Sequence, residues 1–128
     1  ALGMSGEDDL RIRNTVLEAL AGALRDRTAP PQTLLLAALG KEREEVVRRL
    51  EMVRLCLRDV LVWKETGSLD LLLYGDRLDL IGPLAESFSG RELIARLKSV
   101  DNTLRAVEQN ANRPLALEAM LLSGSRAA

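Results

Sequence analysis

Histidine is absent from the 128 residues, and cysteine occurs once, at Cys56. Without an imidazole the chain has no usual Cys/His zinc site, no Ser-His-Asp or Cys-His triad, and no histidine acid–base chemistry. A single thiol makes no internal disulfide framework, which leads us to expect a reducing, cytoplasmic compartment. Aromatic residues are only 2% of the chain against 47% hydrophobic residues, so the core must be built from Leu, Val, Ile and Ala. Leu and Ala favour helices and β-branched residues are comparatively few, so the expected fold class is all-α.

No uncharged apolar stretch approaches the roughly 18 residues needed to span a bilayer. The N-terminus also lacks the basic-then-apolar order of a signal peptide, so no membrane role is expected. Neither a Gly-x-x-x-x-Gly-Lys-Ser/Thr loop nor a Gly-x-Gly-x-x-Gly turn is present to cradle phosphates. No cofactor, metal or catalytic residue is therefore assigned, and this piece is expected not to be an enzyme. Net charge is −1, from 18 basic and 19 acidic residues with interspersed signs. Such a chain has no global field for a phosphate backbone, and little or no direct nucleic-acid binding is expected.

What is present is helical periodicity. Leu10, Leu17, Leu20 and Leu24, with Ile12, Val16 and Ala23, predict a first helix from Glu7 to Asp26, with Ser5 and Asp8 as a capping signal. Pro31 is expected to open a short helix through Leu39 that Gly40 terminates. The longest helix is predicted from Lys41 to Thr66, with Gly67 as its stop. Val46, Leu50, Val53, Leu57 and Val60 form its stripe, and Met52, Leu55, Cys56, Leu61, Val62 and Trp63 extend that stripe around most of the cylinder. Its second half is expected to be nearly surrounded by protein.

The run Ser68 to Gly75 fits either a helical turn or an extended buried link. Asp76 is expected to cap a helix to Phe88 that Gly82-Pro83 kinks or delays. Ser89 and Glu92 have capping-box spacing, and Leu93, Leu97, Val100, Leu104 and Val107 read as a bundle seam. Asn112 as cap and Pro114 as first residue open a last helix through about Leu122. The expected organisation is a leader over 1–6, disordered or left from cloning, one bundle of five to six helices over 7–123, and a frayed tail over 124–128. The start Ala1-Leu2-Gly3-Met4 is read as the edge of a piece excised from a longer protein.

Five residues stand out as interface or structural candidates: Arg58, Asp59, Trp63, Asn112 and Glu118. Trp63, the only tryptophan, is a core anchor or an aromatic anchor between subunits. Arg58 and Asp59 lie inside an apolar run, where charges are usually paired; Glu118 is a candidate internal partner of Arg58, the alternative being a contact with another subunit. Asn110 and Asn112 most simply end one helix and cap the next. Cys56 is expected to be a buried, inert thiol. Arg48, Arg49, Arg54 and Arg58, interrupted by Glu51 and without interleaved aromatics, read as a solvated face. Glu44-Glu45 and Asp8-Asp9 sit at helix starts, where the dipole explains them without paired-carboxylate catalysis.

The order of Leu57-Arg58-Asp59-Val60-Leu61, Tyr74-Gly75-Asp76, Ser89-Gly90-Arg91-Glu92, and Asn110-Ala111-Asn112-Arg113-Pro114-Leu115-Ala116-Leu117-Glu118 resembles the C-terminal domain of bacterial DNA polymerase III clamp-loader subunits. The likeness covers roughly Leu10 to Leu122. Two departures are Tyr74, where an Asn would be usual, and Gly82-Pro83, in a helix normally free of proline. The resemblance implies that N-terminal AAA+ modules, which bind ATP and open the sliding clamp, belong to the full-length protein. It further implies that this domain joins other clamp-loader subunits in a five-membered circular collar. Of the subunits, delta-prime fits better than gamma/tau, because the chain stops almost directly after the Leu-Ala-Leu-Glu helix. The competing reading is a free-standing helical adaptor unrelated to replication. The reading frame upstream of Ala1 separates them, since a P-loop module there supports the clamp loader and a start codon near Met4 supports the adaptor.

Overall fold

The computed structural model describes residues 6–26, 28–109 and 112–126, which form six α-helices and two short 3-10 turns, with no strand among the described residues. Helix α1 (Gly6–Arg25) carries Glu7, Asp8 and Asp9 in its first turn and Arg25 in its last, matching the helix dipole at both ends. The expected cap residue Ser5 lies outside the described residues. α1 buries Val16, Leu17, Leu20, Ala21, Ala23 and Leu24 on one face. Helix α2 (Ala29–Leu39) starts two residues before the predicted Pro31. Both prolines fall in its first turn, where a missing N–H removes no helical bond. Gly40, at φ +85°, ends it, and a Cβ there would run into the Glu45 side chain.

Helix α3 (Arg43–Thr66) is the axis against which α5, α4, α1 and α2 pack. Gly67 in the left-handed conformation (φ +61°) stops it where expected, with its N–H bonded to the Trp63 carbonyl. Val46, Leu50, Val53, Cys56, Leu57 and Val60 are buried, each large aliphatic side chain contributing roughly 1.5–3 kcal/mol relative to exposure. Beyond Val60 the helix emerges: Leu61, Val62 and Trp63 are only partly covered and Lys64 to Thr66 are exposed. The expectation of a nearly enclosed second half therefore holds only to Val60, because among the described residues no helix covers the outer side of the last turns.

The connector after Gly67 folds as two 3-10 turns, Leu69–Leu71 and Gly75–Arg77, leading into helix α4 (Leu78–Ser87). Asp76 does not cap α4. It lies within the second turn and pairs with Arg13 of α1. Nor does Gly82-Pro83 delay α4, which starts at Leu78 and runs through Pro83. Pro83 faces solvent, while Ile81, Leu84 and Ala85 are buried with Phe88, so apolar packing offsets one lost backbone bond.

Helix α5 (Gly90–Glu108) opens with the expected capping box: Ser89 Oγ accepts the Glu92 N–H at 3.1 Å and Glu92 Oε1 accepts the Ser89 N–H at 2.9 Å. Leu93, Val100, Leu104 and Val107 of the seam are buried and Leu97 is partly so, as an intramolecular face of the bundle. Helix α6 (Arg113–Arg126) packs on α5 through Leu117 and Met120. It continues four residues past the predicted end at Leu122, so the expected tail over 124–128 is helical through Arg126. Among the described residues no helix is long and apolar enough to cross a membrane.

Candidate subunit interface

Asp59 is fully buried on α3, in the middle of an apolar face. A carboxylate in that position must be matched by donors or its desolvation would be costly. Its donors come from the connector: the Leu73 N–H reaches Oδ1 at 3.1 Å and the Tyr74 N–H reaches Oδ2 at 2.6 Å. Arg58 Nη1 adds a charge-assisted bond to Oδ1 at 2.8 Å and also donates to the Leu71 carbonyl at 3.1 Å. Two adjacent charges on α3 thus clamp the backbone of Leu71, Leu73 and Tyr74.

A second clamp ties the connector to α1. Arg13 places its guanidinium over the Tyr74 ring, 4.9 Å from the centroid, and donates to both oxygens of Asp76, one at 3.1 Å. That pairing holds the Asp76 carboxyl below the usual carboxylate range, with the hydrogen bond from Arg13 as the main cause. Arg77 bridges Asp79 and Glu18 of α1, each at 3.1 Å. Burial raises the Tyr74 hydroxyl above its ordinary value.

Held in this way, the connector turns three leucines outward: Leu69 is 50%, Leu71 51% and Leu73 58% exposed, while Leu72 and Tyr74 pack inward. Trp63 is partly buried against the core, and the Lys64 ammonium donates to the Ala85 carbonyl at 3.0 Å, closing α4 onto α3. An exposed apolar row on a rigid backbone suits protein contact, because the exposed side chains gain by burial and the backbone is already ordered before a partner arrives.

Of the candidate residues, Arg58 and Asp59 come together here, while Trp63, one turn further along α3, packs against the core. Glu118 does not join them: it is exposed on α6, beside Lys41 and Arg113, and Arg58 is engaged by Asp59 and the connector. The candidate Arg58–Glu118 pair is not formed, because the two residues line separate parts of the bundle and Arg58 meets a nearer carboxylate. Asn112 caps α6, its Oδ1 accepting the Leu115 N–H at 3.1 Å; Asn110 lies outside the described residues. Pro114 is the second residue of α6 rather than the first. Arg49 and Arg54 serve the fold, Arg49 through the Ala38 carbonyl and Glu45, Arg54 through Asp101 at 3.8 Å.

Neither the outward leucines nor the Arg13–Asp76 clamp is evident from sequence patterning alone. In an extended segment Leu69, Leu71 and Leu73 share one face, so the spacing groups them together without saying whether that face is covered. Cys56 is buried, and burial pushes its thiol up to about 12. Among the described residues no group of His, Cys, Asp or Glu could hold a metal ion.

No curated protein and no solved structure matches this chain. The sequence does match a protein family, described as DNA polymerase III, delta subunit, C terminal, over residues 7–126. That match takes in all six helices, the clamped connector and the Asn112 cap, and the chain accordingly belongs to this clamp-loader family, the C-terminal domains of the DNA polymerase III delta subunit.

Proposed function

We propose that this chain is the collar domain of a clamp-loader subunit, of the delta-prime type, and that it acts by holding neighbouring subunits together. The observation that carries the reading is the leucine row of the connector, fixed by a fully buried Asp59, on a chain that matches a clamp-loader subunit family along nearly its whole length. A buried carboxylate committed to a surface segment makes sense if that segment must keep one shape when a partner arrives. The mechanism is mechanical: a stiff connector transmits the position of one subunit to the next, so that ATP-driven motion elsewhere stays coupled.

On this reading the domain itself carries no catalysis and needs no cofactor, and DNA meets other parts of the assembly. Delta-prime is a finer choice than the family match makes, since the matching family is described by the delta name. Co-expression with the remaining clamp-loader subunits tests it: the chain should enter the complex and compete with full-length delta-prime, not with delta or gamma/tau. Competition with delta alone would reassign the subunit. Failure to enter any complex would remove the collar reading.

A further inference from the structure

Arg13 and Arg77 are cations that the fold withdraws from solvent: their side chains are 12% and 15% exposed, whereas the carboxylates they meet, Asp76 and Glu18, are 56% and 61% exposed. Each guanidinium is splinted along its Nε edge by a residue close to it in the chain. Asn14 Oδ1 accepts from Arg13 at 2.9 Å, and the two Asp79 oxygens accept from Arg77, both at 3.1 Å. The remaining donors then reach across. Arg13 of α1 donates to Asp76 of the second 3-10 turn, and Arg77 of that turn donates back to Glu18 of α1. A planar guanidinium held along one edge presents its other donors in a fixed direction.

The two crossings run in opposite senses and grip α1 from two sides. Arg13 and Glu18 stand about 140° apart around α1 and about 7.5 Å apart along it, while Asp76 and Arg77 are neighbours in the turn. The buried face of α1, from Val16 to Leu24, recurs at nearly every turn, so it decides which side of the helix meets the core and only weakly its height. The charges do decide the height. A slip of four residues in one direction sets Asp9 against Asp76 and Asn14 against Arg77; a slip in the other sets Leu17 and Gly22 there. Both pairs are lost either way, and the first slip opposes two carboxylates. We propose that Arg13 and Glu18 are positioning residues for the connector: with Asp76 and Arg77 they lock the height and rotation of α1 against the second 3-10 turn, and thereby set where the row of Leu69, Leu71 and Leu73 stands on the domain. Asp59 holds that row from α3 through the Leu73 and Tyr74 amides, and the α1 lock holds its far end. The inference deepens the collar reading and rests on it for what the row does.

The test exchanges the charges in the whole chain. Arg13→Glu and Asp76→Arg should each speed hydrogen exchange at Leu73 and Tyr74 roughly fivefold, because each sets like charges where the lock has opposite ones. The combination Arg13→Glu/Asp76→Arg should return exchange to within about twofold of wild type, since the pair is restored with its sense reversed. Amides of α5 and the melting temperature should stay at wild-type values throughout, which separates a displaced connector from general loosening. Arg13→Gln, which removes the bond without opposing charges, should speed the same two amides by a smaller factor. Single variants with wild-type exchange at the connector, or a combination no slower than the singles, overturn the lock. Co-purification with the other clamp-loader subunits tests the collar reading separately: Arg13→Glu should be recovered at least about threefold less than wild type, and the combination as well as wild type. If exchange responds as expected while Arg13→Glu and variants of the connector leucines are all recovered in full, the lock stands and the collar reading falls. If the leucine variants are lost from the complex while Arg13→Glu alters neither exchange nor recovery, the collar reading stands and the lock falls.

Discussion

The carboxylate of Asp59 on α3 accepts the backbone N–H of Tyr74 at 2.6 Å, fifteen positions along the chain, and this bond, with its companion from Leu73, fixes the irregular stretch between α3 and α4. A helix residue is thereby doing what a turn residue normally does for its neighbours. Removing it leaves two backbone donors without their acceptor and Arg58 without its counter-charge. Asp59→Ala should therefore cost about 3 kcal/mol, within the range for breaking a buried pair. Urea denaturation checks this. Arg58→Ala should cost less, about 1 kcal/mol, because Arg58 is partly exposed and the Leu73 and Tyr74 bonds survive.

Glu118→Ala should change stability by less than about 0.5 kcal/mol, as expected for an exposed carboxylate outside any cap or buried network. The same denaturation curves decide this. A loss near that of Asp59→Ala would mean that Glu118 has a buried partner.

The Arg13–Asp76 pair sets a pH dependence. Its carboxyl is held below its unfolded value, near 4, by the Arg13 hydrogen bond, so its contribution is fully present above about pH 4 and is lost as pH falls through the lowered value. Melting temperature followed from pH 6 to pH 2 should fall less for Asp76→Asn than for the wild type. The difference should be small, since Asp76 is largely exposed.

Cys56 should be unreactive in the folded protein. Its thiol is buried and pushed up to about 12, first by desolvation and next by the Asp59 charge, so almost no thiolate exists at neutral pH. Labelling by a disulfide reagent should follow the rate of unfolding and accelerate with urea. Prompt labelling in native buffer would contradict the packing of α3.

What could be read without coordinates was mostly local. The Ser89–Glu92 box, the Gly40 and Gly67 stops, the Asn112 cap and the seam from Leu93 to Val107 each depend on residues within a few turns, where spacing and propensity decide. Asp59 lay beyond that reach. Its partners are backbone N–H groups that any sequence supplies, so nothing in the residue types points to them, whereas a Glu118 of opposite sign offered Arg58 a false partner. The delayed start expected at Gly82-Pro83 failed for a related reason. The local cost of Pro83 is real, but the burial of Ile81, Leu84 and Phe88 against the bundle outweighs it. The leucine row was visible as residues and invisible as a surface, because exposure is decided by which helices fail to cover it.

Purified alone, the domain should show no ATP hydrolysis above a buffer blank and only weak, strongly salt-dependent binding to DNA, given its near-neutral charge and lack of stacking aromatics. Fluorescence anisotropy with primed and single-stranded DNA at physiological salt measures the second. Submicromolar binding would contradict the division of labour proposed for this domain.

The most direct measurement is co-purification of a Leu71→Asp/Leu73→Asp variant with the other clamp-loader subunits, run beside its thermal melt. Both leucines are more than half exposed, so each substitution should shift folding stability by no more than about 0.5 kcal/mol. If the connector is a collar contact, recovery of the complex should drop at least about tenfold while the melt stays put, since two carboxylates would be forced into an apolar interface. Full recovery of the complex with an unchanged melt would contradict the assignment of this surface to subunit assembly.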